Sequence, residues 1–431
     1  MEIVEVSVEE FEKFAYPHEQ FSFHQTKEWA TLKKNNGWSS LYLAYKDNDK
    51  ILGACLILRK KTPIKKEMWY SPRGFLIDYK DKKLLSNFTT SIKEYAKKNK
   101  ALFIKIDPYI IYKQRDINGD LVEDGIDNSI VIDNLKELGY KHYGFSTDTS
   151  KELQPRWIYV LDIEGKSQDE IYNNFSNDTK RYINRCIQSG LITEEIGEDR
   201  LDEFKKIMEH TSTRRGFIDR PVSYYKEMLE TLGDHIKIIN CYMDTSIAIG
   251  NIKKELDDLT KEKETIEEKL KENPDSKKSK TAIRVITDRI TGIEKKQNEI
   301  MELEKEYGNK ILMAGSMFII YPREVIYLYS GSFDKFMKYN PQYLIQWEII
   351  KYTIENKIRR YNFYGIDGNF DKDNNKMYGV YEFKKGFDGN VEELVGEFDL
   401  VVDGFGYNLY KLLFNTYRNI KRFTNKLRKR K

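Results

Sequence analysis

Two stretches of this chain, 259 positions apart, pass through the same order of elements, and that repeat limits the fold more than any other feature. In the first, Leu41 to Tyr45 and Ile51 to Arg59 form two strands joined across Lys46-Asp47-Asn48-Asp49-Lys50. Trp69-Tyr70-Ser71-Pro72-Arg73-Gly74 closes that segment, a helix spans about Lys82 to Lys98, and Ala101 to Asp107 is a buried strand stopped by Pro108. In the second, Lys310 to Tyr321 and Glu324 to Tyr329 are strands, Tyr329-Ser330-Gly331 a turn, Tyr343 to Asn356 a helix and Arg360 to Asp367 a strand. The closing strand ends 37 residues after Tyr70 and 38 after Tyr329, and Asn99-Lys100 and Asn356-Lys357 mark the same helix exit. Equal spacing of strand, strand, helix and strand predicts two copies of one unit, hence a mixed α/β (α+β) chain.

Between the copies the composition changes. Ile252, Leu256, Leu259, Ile266 and Leu270 follow a 4-3 spacing, and after Asn273-Pro274-Asp275 the spacing resumes at Ile283, Ile286, Ile290, Ile293 and Ile300. Apolar heptads on both sides of a proline turn predict an antiparallel coiled-coil hairpin over 251–308, reaching on the order of 35–40 Å. The expected division is a first domain at 1–150, a second at 151–250 and 309–400 with the arm inserted, and a C-terminal helix and basic tail at 401–431.

Composition removes several functions. No segment approaches the roughly 18 uninterrupted apolar residues of a membrane span, and Met1-Glu2-Ile3-Val4-Glu5-Val6 lacks a secretory signal pattern. Cys55, Cys186 and Cys241 stand far apart and are expected as buried free thiols in a cytoplasmic protein. His18, His24, His142, His210 and His235 have no metal spacing, so no metal is expected. The sequence has no G-x-x-x-x-G-K-[ST] loop and no G-x-S-x-G elbow. Net charge is only +4, yet the run from Arg418 to Lys431 is basic and free of acid. That run predicts either a solvated end or contact with an anionic membrane face or a polyphosphate.

One further stretch carries chemistry. Tyr361-Asn362-Phe363-Tyr364-Gly365-Ile366-Asp367-Gly368 alternates into a glycine turn, and Tyr378-Gly379-Val380-Tyr381-Glu382-Phe383-Lys384-Lys385-Gly386-Phe387 reads as a second strand with a cation among aromatics. The latter resembles the F-K-x-G-F signature of the Fem aminoacyltransferases. The resemblance extends along nearly the whole chain, through Trp29 with Lys33, Ser71-Pro72-Arg73-Gly74, Ile106-Asp107-Pro108-Tyr109, Tyr329-Ser330-Gly331-Ser332, Gln346-Trp347-Glu348 and Tyr361 to Gly365. It implies two tandem GNAT-like acyltransferase domains, and the inserted arm resembles the FemA architecture. The turns after the strands, Ser71-Pro72-Arg73-Gly74 and Ser330-Gly331-Ser332, do not look like a coenzyme A pyrophosphate loop.

The resemblance implies transfer of an amino acid of the Gly, Ala or Ser class from aminoacyl-tRNA, as co-substrate and without a further cofactor. The acceptor it implies is an amine on a lipid II-type or UDP-MurNAc-pentapeptide-type peptidoglycan precursor. Work at the inner membrane face, and homo- or hetero-oligomers with other Fem proteins, are further expectations. It assigns Lys33, Arg220, Tyr224 and Tyr329 to the precursor phosphates, and Lys384 with Phe383 and Phe387 to the reaction centre. Arg220 and Tyr224, four apart and helical from Pro221, would share one face, and a guanidinium fork beside a phenol suits phosphate oxygens. The residues themselves also allow a helix-start surface charge at Arg220, a neighbouring role for Lys34, a structural turn at Arg73, and Asp107 as that turn's hydrogen-bond acceptor. A transferase using another acyl donor or acceptor, and a non-enzymatic coiled-coil interaction protein, are the alternatives.

Overall fold

The computed structural model describes the fold of residues 1–428; the side chains of 419 and of 421–428 are outside the described set. The chain gathers into two compact units. The first holds Met1–Leu161, Asn362–Lys385 and Gly389–Lys431, and the second holds Asp162–Tyr361 and Gly386–Asp388.

In the first unit a seven-stranded sheet runs Glu2–Glu5, Ser39–Asp47, Lys50–Lys61, Glu67–Ser71, Ala101–Ile106, Phe398–Val401 and Tyr140–His142 from edge to edge. Neighbours are antiparallel except Glu67–Ser71 and Ala101–Ile106, which run parallel and therefore need a crossover. Helix Lys82–Lys98 supplies it, at the bounds expected from the sequence. Asp81 caps it by accepting from Leu84 N at 2.9 Å. Leu85, Phe88, Ile92 and Ala96, spaced to share one face, are buried in a core with Tyr45, Trp69, Ile104 and Phe398. A smaller sheet portion pairs Asn390–Leu394 with Ile111–Gln114 on one side and Trp157–Asp162 on the other, all antiparallel.

In the second unit Leu191–Ile196, Ile236–Asp244, Lys310–Ile320 and Glu324–Ser332 make an antiparallel run. Helices Leu201–Arg215, Val222–Leu232 and Pro341–Glu355 pack on it. Strand Ile236–Asp244 passes directly into helix Thr245–Glu272, because Asp244 caps it by accepting from Ser246 N at 2.9 Å and Ile247 N at 3.1 Å. The helix thus starts ahead of the expected 251. Lys277–Tyr307 returns beside it, with Thr245 Oγ1 donating to Glu304 Oε1 at 2.9 Å and Arg289 reaching Glu255 at 2.6 Å. Ile252, Leu259, Ile286, Ile293 and Ile300 are the buried seam. At 1.5 Å per residue the two helices are about 42 and 46 Å long.

Three expectations need correction. Tyr329-Ser330-Gly331 is not a turn but the end of strand Glu324–Ser332. Opposite it, Met317 pairs with Tyr329 and Phe318 with Tyr327, so Leu328 is an extra residue, a bulge that re-aims the strand without ending it. The stretch from Tyr378 is a helix, Tyr378–Lys385, rather than a strand. Its buried positions, Tyr381 and Lys384, lie three apart as on a helix face, which overrides the strand propensity of its aromatic residues. The units also depart from the expected 1–150 and 309–400 ranges. The chain leaves the second unit within strand Arg360–Gly365 and completes the first with its C-terminal segments.

Candidate functional site

The first unit places Lys384 in the last turn of a short helix, facing the end of strand Arg360–Gly365. Two aromatic and amide contacts fix that strand end. Asn362 Nδ2 donates to Tyr109 Oη at 3.0 Å, and Asn362 Oδ1 accepts from Tyr364 N at 2.7 Å. Tyr364 itself sits at φ 64°, a conformation that costs a bulky residue energy, and its hydroxyl donates to Gln154 Oε1 at 2.7 Å. The turn so held directs carbonyls at the lysine: Lys384 Nζ donates to Gly365 O at 2.6 Å and lies 3.5 Å from Tyr364 O. Lys384 is only 4% exposed, and no carboxylate pairs with it among the described residues. Burial alone pulls its pKa from 10.5 down to about 7. A cation held by dipoles, not by an anion, keeps its field available to a charge that develops nearby.

Phe383 is half-buried on the same helix. Phe387 belongs to the second unit, where its ring stacks on Tyr343 at 5.7 Å and meets the edge of Phe175 at 5.1 Å. The sequence reading missed Asn362, Tyr109 and Gln154 as supports of the lysine's turn, and its carbonyl acceptors have no side-chain signature at all. The N-F-Y-G run was the available signal.

Lys33, in the last turn of helix Lys27–Asn35, holds its ammonium 4.0 Å from the Trp29 ring centroid, while Lys34 is exposed. Arg73 is buried and structural. Its N donates to Asp107 Oδ1 at 2.9 Å, its guanidinium donates to Pro155 O at 2.8 Å and lies 3.7 Å from Asp107 Oδ2. Asp107 therefore holds the Ser71-Pro72-Arg73-Gly74 turn, and burial pushes its carboxyl up to about 6 against the pull of Arg73.

In the second unit Arg220, Tyr224 and Tyr329 come together. Pro221 starts helix Val222–Leu232, and the Arg220 guanidinium lies 5.2 Å from the Tyr224 ring centroid. The Tyr224 hydroxyl is held well above the ordinary phenol range, first by burial and then by the neighbouring Tyr329. Tyr225 sets its ring 6.0 Å from Tyr329 and donates to Asp219 Oδ1 at 2.6 Å. Lys205 pairs with the same Asp219 and donates to Arg220 O at 3.0 Å, so the backbone before the helix is pinned while the guanidinium is exposed. No described carboxylate lies in ion-pair reach of Arg220. An unneutralised fork beside two phenols is a ready anion site.

The three cysteines are buried and unpaired, and no group of metal-ligating side chains forms among the described residues. No helix there is long and apolar enough to cross a membrane.

A family model described as the FemAB family matches residues 6–415. The aminoacyltransferase FemA of Staphylococcus epidermidis is 30% identical over 416 residues, which cover 96% of this chain and 99% of FemA. The aminoacyltransferase FemB of the same species is 32% identical over 432 residues, covering all of both chains. The crystal structure of FemX superposes with a TM-score of 0.77 at 28% identity, over 95% of this chain and 99% of that one.

Proposed function

Because the chain belongs to the FemAB family of aminoacyltransferases, we propose that it transfers an amino acid from aminoacyl-tRNA to an amine of a peptidoglycan precursor, in cross-bridge synthesis. The amino acid is of the Gly, Ala or Ser class, and the amine lies on the stem peptide or the growing bridge. The acceptor is lipid-linked, which brings the enzyme to the inner face of the membrane as a peripheral protein.

The aminoacyl ester is already activated, so no protein nucleophile is required. The neutral acceptor amine attacks the ester carbonyl, a C–N bond forms and the C–O bond to the ribose breaks. The amine proton ends on the departing ribose oxygen. What the protein adds is orientation and stabilisation of the tetrahedral oxyanion. Lys384 supplies the second, with Phe383 beside it limiting water. On the second unit Arg220, Tyr224 and Tyr329 hold phosphate of the precursor; on the first, Lys33 is a separate cation for phosphate.

The observation that carries this reading is the buried ammonium of Lys384, bonded to the Gly365 carbonyl and pulled down to about 7. A test mixes the purified protein with tRNA charged with labelled glycine, alanine or serine and with lipid-linked or nucleotide-linked acceptors. Mass spectrometry of the products then identifies the added residue and its position. Absence of transfer from every charged tRNA, with an acyl-coenzyme A supporting modification instead, would overturn the proposal.

A further inference from the structure

The C-terminal helix, Gly404–Arg428, is held to the first unit along one side. Tyr407 and Tyr410 set their rings 5.3 and 5.8 Å from that of Phe103. Tyr407 Oη donates to Asp399 Oδ2 at 2.9 Å, and Lys411 Nζ lies 3.4 Å from the same oxygen. At about 100° per residue, Phe405, Leu409, Leu412, Leu413 and Ile420 fall together on a different side. That side is uncovered: Phe405 is 84% exposed, Leu412 64% and Ile420 58%. The first turns thus bury an aromatic side against the core around Phe103, the apolar stripe faces away from it, and every residue from Leu412 to Arg418 is exposed.

Charge identifies what covers the stripe. Beyond Lys411, residues 412–431 contain eight lysines and arginines and no acid. A second copy of the same helix would bring like charges together, whereas a surface of anionic headgroups neutralises them. We propose that this helix lies in the interface of an anionic membrane, its aliphatic stripe at the headgroup–acyl boundary and its cations among the headgroups. The inference rests on the lipid-linked acceptor proposed above, and it replaces a general attraction of a basic end by a defined insertion face.

The full chain is sedimented with vesicles of phosphatidylglycerol and phosphatidylcholine, and with phosphatidylcholine alone. At least tenfold stronger partitioning to the anionic vesicles is expected, together with at least a tenfold loss of it in Leu412→Gln/Ile420→Gln. Both positions are exposed, so the fold should tolerate the change, and circular dichroism checks this. A second variant, Leu412→Cys carrying an environment-sensitive fluorophore, should shift to the blue only with anionic vesicles. Equal partitioning of parent and double variant, or a bound but unshifted fluorophore, would leave the basic run alone responsible and overturn the insertion face. Failure of the parent to bind anionic vesicles, or self-association abolished by the double variant, would overturn the membrane as occupant. Transfer to a soluble nucleotide-linked acceptor is measured separately: its failure with vesicle binding intact counts against the proposed function, not against the helix.

Discussion

Replacing Lys384 by methionine should make the protein inactive and more stable at once. The chain length and apolar stem are nearly kept, so the change removes the ammonium with little repacking. Burial has moved that group from 10.5 to about 7; at 1.36 kcal/mol for each tenfold, the buried charge costs the folded state about 5 kcal/mol below pH 7. Methionine leaves Gly365 O without its donor, which returns about 1–3 kcal/mol of that. A net gain of roughly 2–4 kcal/mol is expected at pH 6.

The sign with pH follows from proton counts. Below about pH 7 the folded and unfolded chains both carry the proton, and the whole cost acts. From there to 10.5 only the unfolded chain carries it, so the parent gains stability as pH rises. The advantage of Lys384→Met should therefore shrink by about 2–3 kcal/mol between pH 6 and pH 9. Denaturant unfolding of both proteins at the two pH values, followed by tryptophan fluorescence, measures this difference, and groups common to both cancel. In a tRNA-dependent assay the variant should lose roughly 10²-fold or more of its turnover. Near-normal transfer would remove Lys384 from the mechanism. An unchanged stability difference between pH 6 and pH 9 would refute the buried ammonium.

Other residues separate in the same way. Arg220→Lys keeps the charge but loses the fork beside Tyr224, and should raise KM for a phosphate-bearing acceptor about tenfold while sparing kcat. Asp107→Asn keeps the acceptor for Arg73 N and should retain transfer and be at least as stable as the parent at neutral pH, because above about pH 6 the parent bears the burial cost of an ionised carboxyl. Asp107→Ala should cost about 1–3 kcal/mol through the orphaned Arg73 N–H. Gly190 has φ +70° and a Cβ there would stand 2.5 Å from Ala248 N. Gly190→Ala should therefore destabilise the second unit by about 3 kcal/mol or more, read by thermal unfolding.

Local pattern told most where one face alone is buried. Helix Lys82–Lys98 and the paired helices from Thr245 to Tyr307 were legible because their apolar residues recur at helical spacing. Tyr378 to Lys385 reads as a strand because Tyr378, Val380, Tyr381 and Phe383 are residues of strand propensity, and eight positions are too short a span to separate the two periods. The bulge at Leu328 has no residue signature, so the end of strand Glu324–Ser332 looked like a turn. Arg220, Tyr224 and Tyr329 were found by resemblance, and the four-residue spacing of the first two placed them on one helix face. Arg73 and Asp107 read as a turn residue and its hydrogen-bond acceptor from Pro72, Gly74 and Pro108 beside them, and their burial and mutual bonds agree with that. The membership of residues 362–385 and 389–431 in the first unit depends on pairing between distant strands, which no window of sequence contains.

That pairing sets an order on synthesis. Strand Phe398–Val401 lies between Ala101–Ile106 and Tyr140–His142, and the last of these has it as a sheet neighbour. As the chain emerges from the ribosome, the first unit's sheet lacks an interior strand through the translation of more than two hundred residues, while the second unit already has nearly all of its sequence. The N-terminal half thus waits with an open sheet edge and with Phe398 and Leu400 missing from its core. Domains commonly fold in the order they are made. Here the unit begun first is the one finished last.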